Sequence, residues 1–244
     1  MYIIDMDAHP PMGEVDVSYV GKMDSARFFH RLMSIGIDKA CGTLTVSDEF
    51  FTKYSEAEAA SRINHAAMEL AVRNDKYIPS IRLYNGMETE KLEAYFSLGA
   101  VTAEADAKTI DINSEILECA QNLGVFIKLR NENPDFINAL AEKYPALKVS
   151  AFGRTGKYTV PASIYEIIKK RPNVYINMSG AVWTFNYVVH EWAEKLQDRL
   201  IFGTAYPNTN PSAKLAGIKW ELRDCAESIQ TKVFAGNASK FIGR

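Results

Sequence analysis

The chain opens with Ile3-Ile4-Asp5-Met6-Asp7-Ala8-His9-Pro10, and near its far end it reads Leu200-Ile201-Phe202-Gly203-Thr204-Ala205-Tyr206-Pro207. Each stretch is a short apolar run that gives way to polar residues and a proline. That is the pattern of a strand buried on both faces and ending in a loop. Six more runs of this kind lie between them, so the candidate strands cover residues 2–7, 39–46, 77–83, 100–104, 125–129, 147–151, 174–178 and 200–203. Helical patterns separate most of them. Residues 25–35 carry an apolar stripe and stop at Gly36, a glycine suited to a helix C-terminus. Ser55 followed by Glu58 has the form of a capping box, opening a helix that runs to residue 74. Further helices are expected over 114–122, 135–143 behind Pro134, 162–170 behind Pro161, 183–197 and 211–229. Strands alternating with helices build a parallel sheet. An open doubly wound sheet would need a glycine-rich phosphate loop after its first strand, and Asp7-Ala8-His9-Pro10-Pro11 offers none. The expectation is an α/β fold: one (β/α) TIM-type barrel of seven or eight strands, a single domain over residues 1–244.

Composition narrows the function classes. With 244 residues and 47% hydrophobic content, the chain has the size and apolar material of one such barrel. A formal net charge of -2 gives no basic footprint for nucleic acid. No run of about 18 apolar residues is present to span a membrane. No basic stretch followed by an apolar run marks a secretory signal, so the chain is expected to open directly with a strand. Cys41, Cys119 and Cys225 are widely spaced and odd in number, which fits neither a disulfide framework nor a structural zinc site. They read as small buried hydrophobes in a reducing cytoplasm. The expected partner is a small anionic molecule rather than nucleic acid or membrane, and a homo-oligomer is left open.

Side chains alternate along a strand, so Asp5, Asp7 and His9 are expected on one face, the lumen of a barrel. A carboxylate and an imidazole two residues apart can meet one metal, but two ligands fall short of the three a catalytic zinc site uses. Asp7 and His9 can equally hydrogen-bond each other at a polar strand end. Of four histidines, His30, His65 and His190 fall in predicted helices, the outer ring of a barrel, and only His9 is placed to reach the lumen. Arg82, Lys128, Arg130 and Arg154 sit at or just beyond predicted strand ends. Two uses are open to them: an anion pocket built on bidentate guanidinium contacts, or ordinary salt bridging. Tyr175, Asn177 and Ser179 share a strand face and either line a pocket or pack within the barrel. Trp183, Phe185, Tyr187 and Trp192 form an aromatic wall or helix core. Tyr206 is a hydrogen-bond donor to a ligand or a loop anchor.

The two opening stretches resemble the first and last strands of the amidohydrolase-related metal-dependent hydrolases. That family opens with two histidines one residue apart and closes with an aspartate before Tyr-Pro. The resemblance runs through Gly36-Ile37-Asp38-Lys39-Ala40, Asn64 on a helix, Asp75-Lys76-Tyr77, the run from Ala141 to Lys148, Val174-Tyr175-Ile176-Asn177-Met178-Ser179-Gly180, and the segment from Gly236 to Gly243, in matching order. His9 stands at the second histidine, Asp7 at the first, and Ala205 at the closing aspartate. Neither Val125–Arg130 nor Ser150-Ala151-Phe152-Gly153 supplies the family's middle histidines.

The resemblance implies hydrolysis of an amide or ester bond, or decarboxylation, of a small carboxylated substrate. Asp7 and His9 would be the catalytic groups, and Lys128, Arg130, Arg82, Arg154, Asn177 and Tyr206 the substrate-binding ones. The metal site is expected to be degenerate or absent. No cofactor is expected beyond a weakly held divalent metal such as zinc on Asp7 and His9, with Asp5 as a third donor. A cation, Lys128 or a nearby arginine, is expected to pair with Asp7 where relatives hold a metal, since an unpaired buried charge is costly. The alternative is a catalytically silent barrel that binds a small anion or a protein partner.

Overall fold

The computed structural model describes residues 1–17, 20–131, 133–152, 162–180 and 188–242. The first strand is β1 (Ile4–Asp5), followed by a small antiparallel hairpin of β2 (Val15–Val17) and β3 (Gly21–Met23). Then come β4 (Lys39–Gly42), β5 (Tyr77–Arg82), β6 (Thr102–Asp106), β7 (Phe126–Arg130), β8 (Lys148–Phe152), β9 (Val174–Asn177) and β10 (Leu200–Ile201). Apart from the hairpin, the strands are parallel and neighbour one another in chain order, from β1 through β4 to β10. The ends of the sheet meet where Met6 N donates to Phe202 O at 3.0 Å and His9 N to Tyr206 O at 2.7 Å. The sheet thus curls into the single TIM-type barrel that the sequence pattern predicts.

Helices lie between the strands: α1 (Ser25–Ser34), α2 (Asp48–Lys53), α3 (Glu56–Arg73), α4 (Thr89–Ser97), α5 (Glu115–Asn122), α6 (Pro134–Lys143), α7 (Ala162–Lys170), α8 (Val188–Leu196), α9 (Pro211–Glu221), α10 (Glu227–Thr231) and α11 (Asn237–Ile242). Their ends follow the local chemistry. The capping box of α3 is formed, Ser55 Oγ accepting from Glu58 N while Glu58 Oε2 accepts from Ser55 N. Asn133 caps α6 through Phe136 N, with Pro134 in the first turn. Gly36 leaves α1 at φ +86°, where a side chain would be strained. The region expected as one helix over 211–229 divides into α9 and α10, and residues 183–187 of the helix expected over 183–197 lie outside the described residues.

Two apolar clusters organise the barrel. One fills the shell between strands and helices, with Ile127, Leu129, Val149 and Ile176 against Leu117, Ile137, Leu140 and Ile164. The other joins Ile4, Met6, Cys41, Ile78, Phe126, Tyr175 and Ile201 to Phe241 of α11, whose ring stacks on Phe126 at 4.2 Å between centroids. Further along the strands, Glu104, Lys128, Ser150 and Asn177 are buried polar groups. The barrel therefore turns from apolar to polar toward the C-terminal strand ends, the face where barrels of this kind carry their sites. Among the described residues, no helix is long and apolar enough to cross a membrane.

Candidate active site

His9 is held by its own loop and the one after β4. Thr45 N donates to Pro10 O, Met12 N to Thr45 O, and Thr45 Oγ1 to His9 O. The ring is fixed at both nitrogens: Nδ1 lies 3.1 Å from the Thr43 carbonyl, and Nε2 lies 2.7 Å from Asp7 Oδ1. A carbonyl only accepts, so Nδ1 carries a hydrogen, and the Thr43 contact sets the ring's orientation as the partner of a working histidine does. Burial alone would push the Asp7 carboxyl up, but the charge and hydrogen bond of His9, with the charge of Lys128, hold it below its ordinary value.

Beneath this pair lies a buried ion pair that the sequence reading did not single out. Glu104 on β6 and Lys128 on β7 are register partners, so both side chains leave the sheet on one side. Lys128 Nζ is 2.9 Å from Glu104 Oε1, with the two side chains 0% and 2% exposed. Glu104 also accepts from Thr43 N at 3.1 Å on Oε1 and from Thr43 Oγ1 at 3.1 Å on Oε2, while Arg130 Nη1 lies 3.5 Å from Oε2. Burial would raise the Glu104 carboxyl, but Lys128 leads the charges that hold it well below the usual carboxylate range. Burial would lower Lys128, and Glu104 raises it instead. The pairing keeps Lys128 an ammonium, unsuited to act as a nucleophilic amine. Glu104 shows itself in sequence only through period two: Thr102, Glu104 and Asp106 alternate with Ala103 and Ala105.

Above the ion pair is a cavity of about 520 Å³ whose described walls include Asp7, His9, Phe51, Arg82, Asp106, Lys108, Arg130 and Ala205. Arg82 is placed by Asn64 of α3, whose side chain pairs both ways with its backbone: Arg82 N donates to Oδ1 at 2.7 Å, and Nδ2 donates to Arg82 O at 3.1 Å. The guanidinium lies 5.0 Å over the Phe51 ring and, among the described residues, has no carboxylate within ion-pair distance. Burial leads the causes that lower its pKa, with the charge of Arg130 next.

The remaining predicted residues separate. Lys128 pairs with Glu104 rather than with Asp7, because register sets it opposite β6. Asp5 does not join Asp7 and His9, because the chain turns after β1. Its carboxylate accepts from Thr204 N, Thr204 Oγ1 and Asp7 N, tying β1 to the end of β10. Burial, only partly offset by these bonds, pushes Asp5 up to about 6. Tyr206 is buried; its hydroxyl contacts Met23 Sδ at 3.0 Å and its ring stacks on Phe28, so it anchors the loop. Asn177 lies in the lumen, its Oδ1 accepting from Ser179 N. Arg154, Trp183, Phe185 and Tyr187 lie outside the described residues. His30 and His65 are exposed on α1 and α3, and His190 on α8 faces Cys225 and Glu194.

Asp7, His9 and Glu104 each offer an atom that can bind a metal, and these atoms lie within 4.8 Å of one another. In kind and number they match a three-ligand zinc site. As arranged they do not fit one. A carboxylate has about four acceptor positions; Thr43 N, Thr43 Oγ1 and Lys128 Nζ take three on Glu104, and Arg130 Nη1 and His9 Nδ1 crowd the remainder at 3.5 and 3.6 Å. His9 Nδ1 is turned to a carbonyl, and Nε2 stands at hydrogen-bond distance from Asp7. Tetrahedral zinc with bonds near 2.1 Å would hold those two atoms about 3.4 Å apart.

The family model described as amidohydrolase matches residues 4–244. No curated protein matches the sequence. Among solved structures, an uncharacterised TIM-barrel protein from Bordetella bronchiseptica is similar at a TM-score of 0.69 with 17% identity, covering 100% of both chains. A probable 2-pyrone-4,6-dicarboxylic acid hydrolase from Acinetobacter baumannii, with citric acid bound, is similar at 0.69 with 14% identity and the same coverage. An amidohydrolase from Burkholderia multivorans with bound zinc is similar at 0.66 with 10% identity, covering 100% of this chain and 99% of that one. At these identities the likeness concerns the fold.

Proposed function

The chain belongs to the amidohydrolase family, and from that premise we propose that it hydrolyses a small carboxylated substrate in the cavity over His9, without a tightly held metal. The observation that carries this reading is the shared lining: an acid–base pair, Asp7 and His9, faces the same space as the cations Arg82, Lys108 and Arg130. Arg82, with no carboxylate partner among the described residues, is the anchor for a substrate carboxylate, in the bidentate manner of guanidinium groups. Arg130, already leaning on Glu104, is the second. Asp7 takes the proton of the attacking water and returns it to the leaving group, while His9, both ring nitrogens engaged, orients that carboxylate and balances its charge. Asn177 Nδ2 and Ser179 Oγ, buried without partners among the described residues, lie near Asp7 around Gly203 and suit a bound water or substrate oxygen. The citric acid bound to the Acinetobacter relative supports a polycarboxylate as the kind of molecule to try. Decarboxylation of such a substrate would draw on the same anion contacts.

A second reading, an anion-binding barrel without catalysis, is favoured by Ala205, whose methyl group lines the cavity where the family resemblance implies a proton-carrying aspartate. One experiment separates the two. Small carboxylated lactones, esters and amides are offered to the purified protein, with binding and turnover measured together. Turnover that falls about 100-fold or more in His9→Ala supports the hydrolase, with a raised KM in Arg82→Ala. Binding of these acids without turnover supports the silent barrel, and neither binding nor turnover sinks both.

A further inference from the structure

We propose that Lys128 is a tethered cation standing in for a divalent metal: its ammonium and a metal ion are alternative occupants of the Glu104 carboxylate, and a neutral side chain at position 128 turns Asp7, His9 and Glu104 into a metal site. The proposal shares its location with the reading above but needs no substrate, so its test and that of the hydrolase fail separately.

Three observations carry it. The first is occupancy. Oε1 of Glu104 takes Thr43 N and Lys128 Nζ, and Oε2 takes Thr43 Oγ1 and Arg130 Nη1. Of these donors, only the Lys128 ammonium is both a full charge and completely buried. A metal bound at Oε1 of Glu104 must displace it, and the displaced ammonium, on a side chain with no exposed surface, loses its counter-charge. Among the described residues, its other hydrogen bond is to the Cys41 carbonyl at 3.5 Å. The second is charge. Asp7 and Glu104 supply two negative charges to the centre, and the chain already answers them with Lys128 inside it and with His9 and Arg130 beside it. A divalent cation added beside a trapped ammonium would lie against a like charge in a region screened by little water. The third is chemistry. With Lys128 removed, one acceptor position on Glu104 opens within 4.8 Å of the Asp7 and His9 donor atoms, and the Thr43 carbonyl already holds His9 at Nδ1; the ion then has only to part Nε2 and Asp7 Oδ1 from 2.7 Å to about 3.4 Å. Three ligands with an outer-shell partner on the histidine make the usual zinc arrangement.

The test uses the full chain, freed of metal by dialysis against a chelator. Zinc affinity is read by competition with a chromophoric chelator, and cobalt(II) uptake by its visible spectrum. Lys128→Met is expected to bind zinc at least about 100-fold more tightly than the natural chain. The gain should vanish in Lys128→Met combined with His9→Ala. Stoichiometric zinc on the natural chain, held as tightly as on the variant, would overturn the proposal, and so would a folded variant that gains no affinity. If Lys128→Met does not fold unaided, zinc decides by rescue. Recovery of the folded circular dichroism signal on adding zinc supports the proposal, and failure to recover it counts against it.

Discussion

Glu104 is the residue on which the most charge converges, and its replacement should be the most informative at this scale. Glu104→Gln keeps the shape but leaves the Lys128 ammonium buried without its counter-charge, a change that typically costs about 3–5 kcal/mol. Combining it with Lys128→Met should cost less than the sum of the single changes, a coupling that chemical denaturation of the four proteins measures. The pH dependence has a definite sign. The folded carboxyl is held low, whereas the unfolded one titrates near 4.5. Its contribution is therefore complete above that pH and is lost as the pH falls below it, because the unfolded chain takes up the proton first. Glu104→Gln should lack this acid-side loss. Asp5 acts in the opposite sense, since its folded value is raised to about 6 from 3.8. Its contribution is present at low pH and declines between those two values as the pH rises. Asp5→Asn should flatten that decline, and denaturation midpoints taken from pH 3.5 to 7 would expose a slope that does not change.

Among the elements, the junction of α3 with β5 gives a sharper test than any helix end. Asn64 presents its amide to the backbone of Arg82 as a neighbouring strand would, two hydrogen bonds from one buried side chain. Asn64→Ala should destabilise the fold by about 1–3 kcal/mol, because it leaves both backbone groups without their partner. It should also weaken anion binding through Arg82 without touching the cavity, which titration calorimetry with a small tricarboxylate would read; unchanged affinity would separate Arg82's position from α3. The elements also show what sequence could and could not reveal. Eight strands were readable because most are unbroken apolar runs between punctuated helices, and α3 because its capping box is local chemistry. The hairpin β2–β3 was not, since two strands of three residues carry too little alternation to register. Nor was α4, which has no side-chain cap and buries only Leu92. Within the site, Asp7, His9 and Arg82 were legible as residue types at strand ends. Glu104 was not, because its meaning lies in register across two strands, and Asp5 was misplaced because a turn after β1 breaks the alternation that assigns faces.

For the whole molecule, the site and the fold depend on the same residues. The barrel closes through the main-chain contacts of Met6 and His9 with the strand-ten end, reinforced by Asp5 on Thr204, and His9 belongs to both closure and cavity. Lys128 and Glu104 sit where the apolar lower barrel gives way to the polar top, so the charge centre is an internal support as well as the floor of the site. A ligand seated on that floor binds the closed barrel and not the unfolded chain, and must raise stability by mass action. Tricarballylate, which carries three carboxylates but chelates metals poorly, is a suitable probe. At about 100 times its dissociation constant it should add roughly 2.7 kcal/mol. For a chain of this size that corresponds to a rise in melting temperature of about 5–10 °C. The rise should shrink in Arg82→Ala and with added salt, since the guanidinium lies at a cavity wall open to screening. Chelator alone should leave the melting temperature of the natural chain unchanged, because the charge that steadies Glu104 is covalently part of the protein. A melting curve that falls on treatment with chelator and returns with zinc would mean that a metal, and not Lys128, holds the centre of the barrel together.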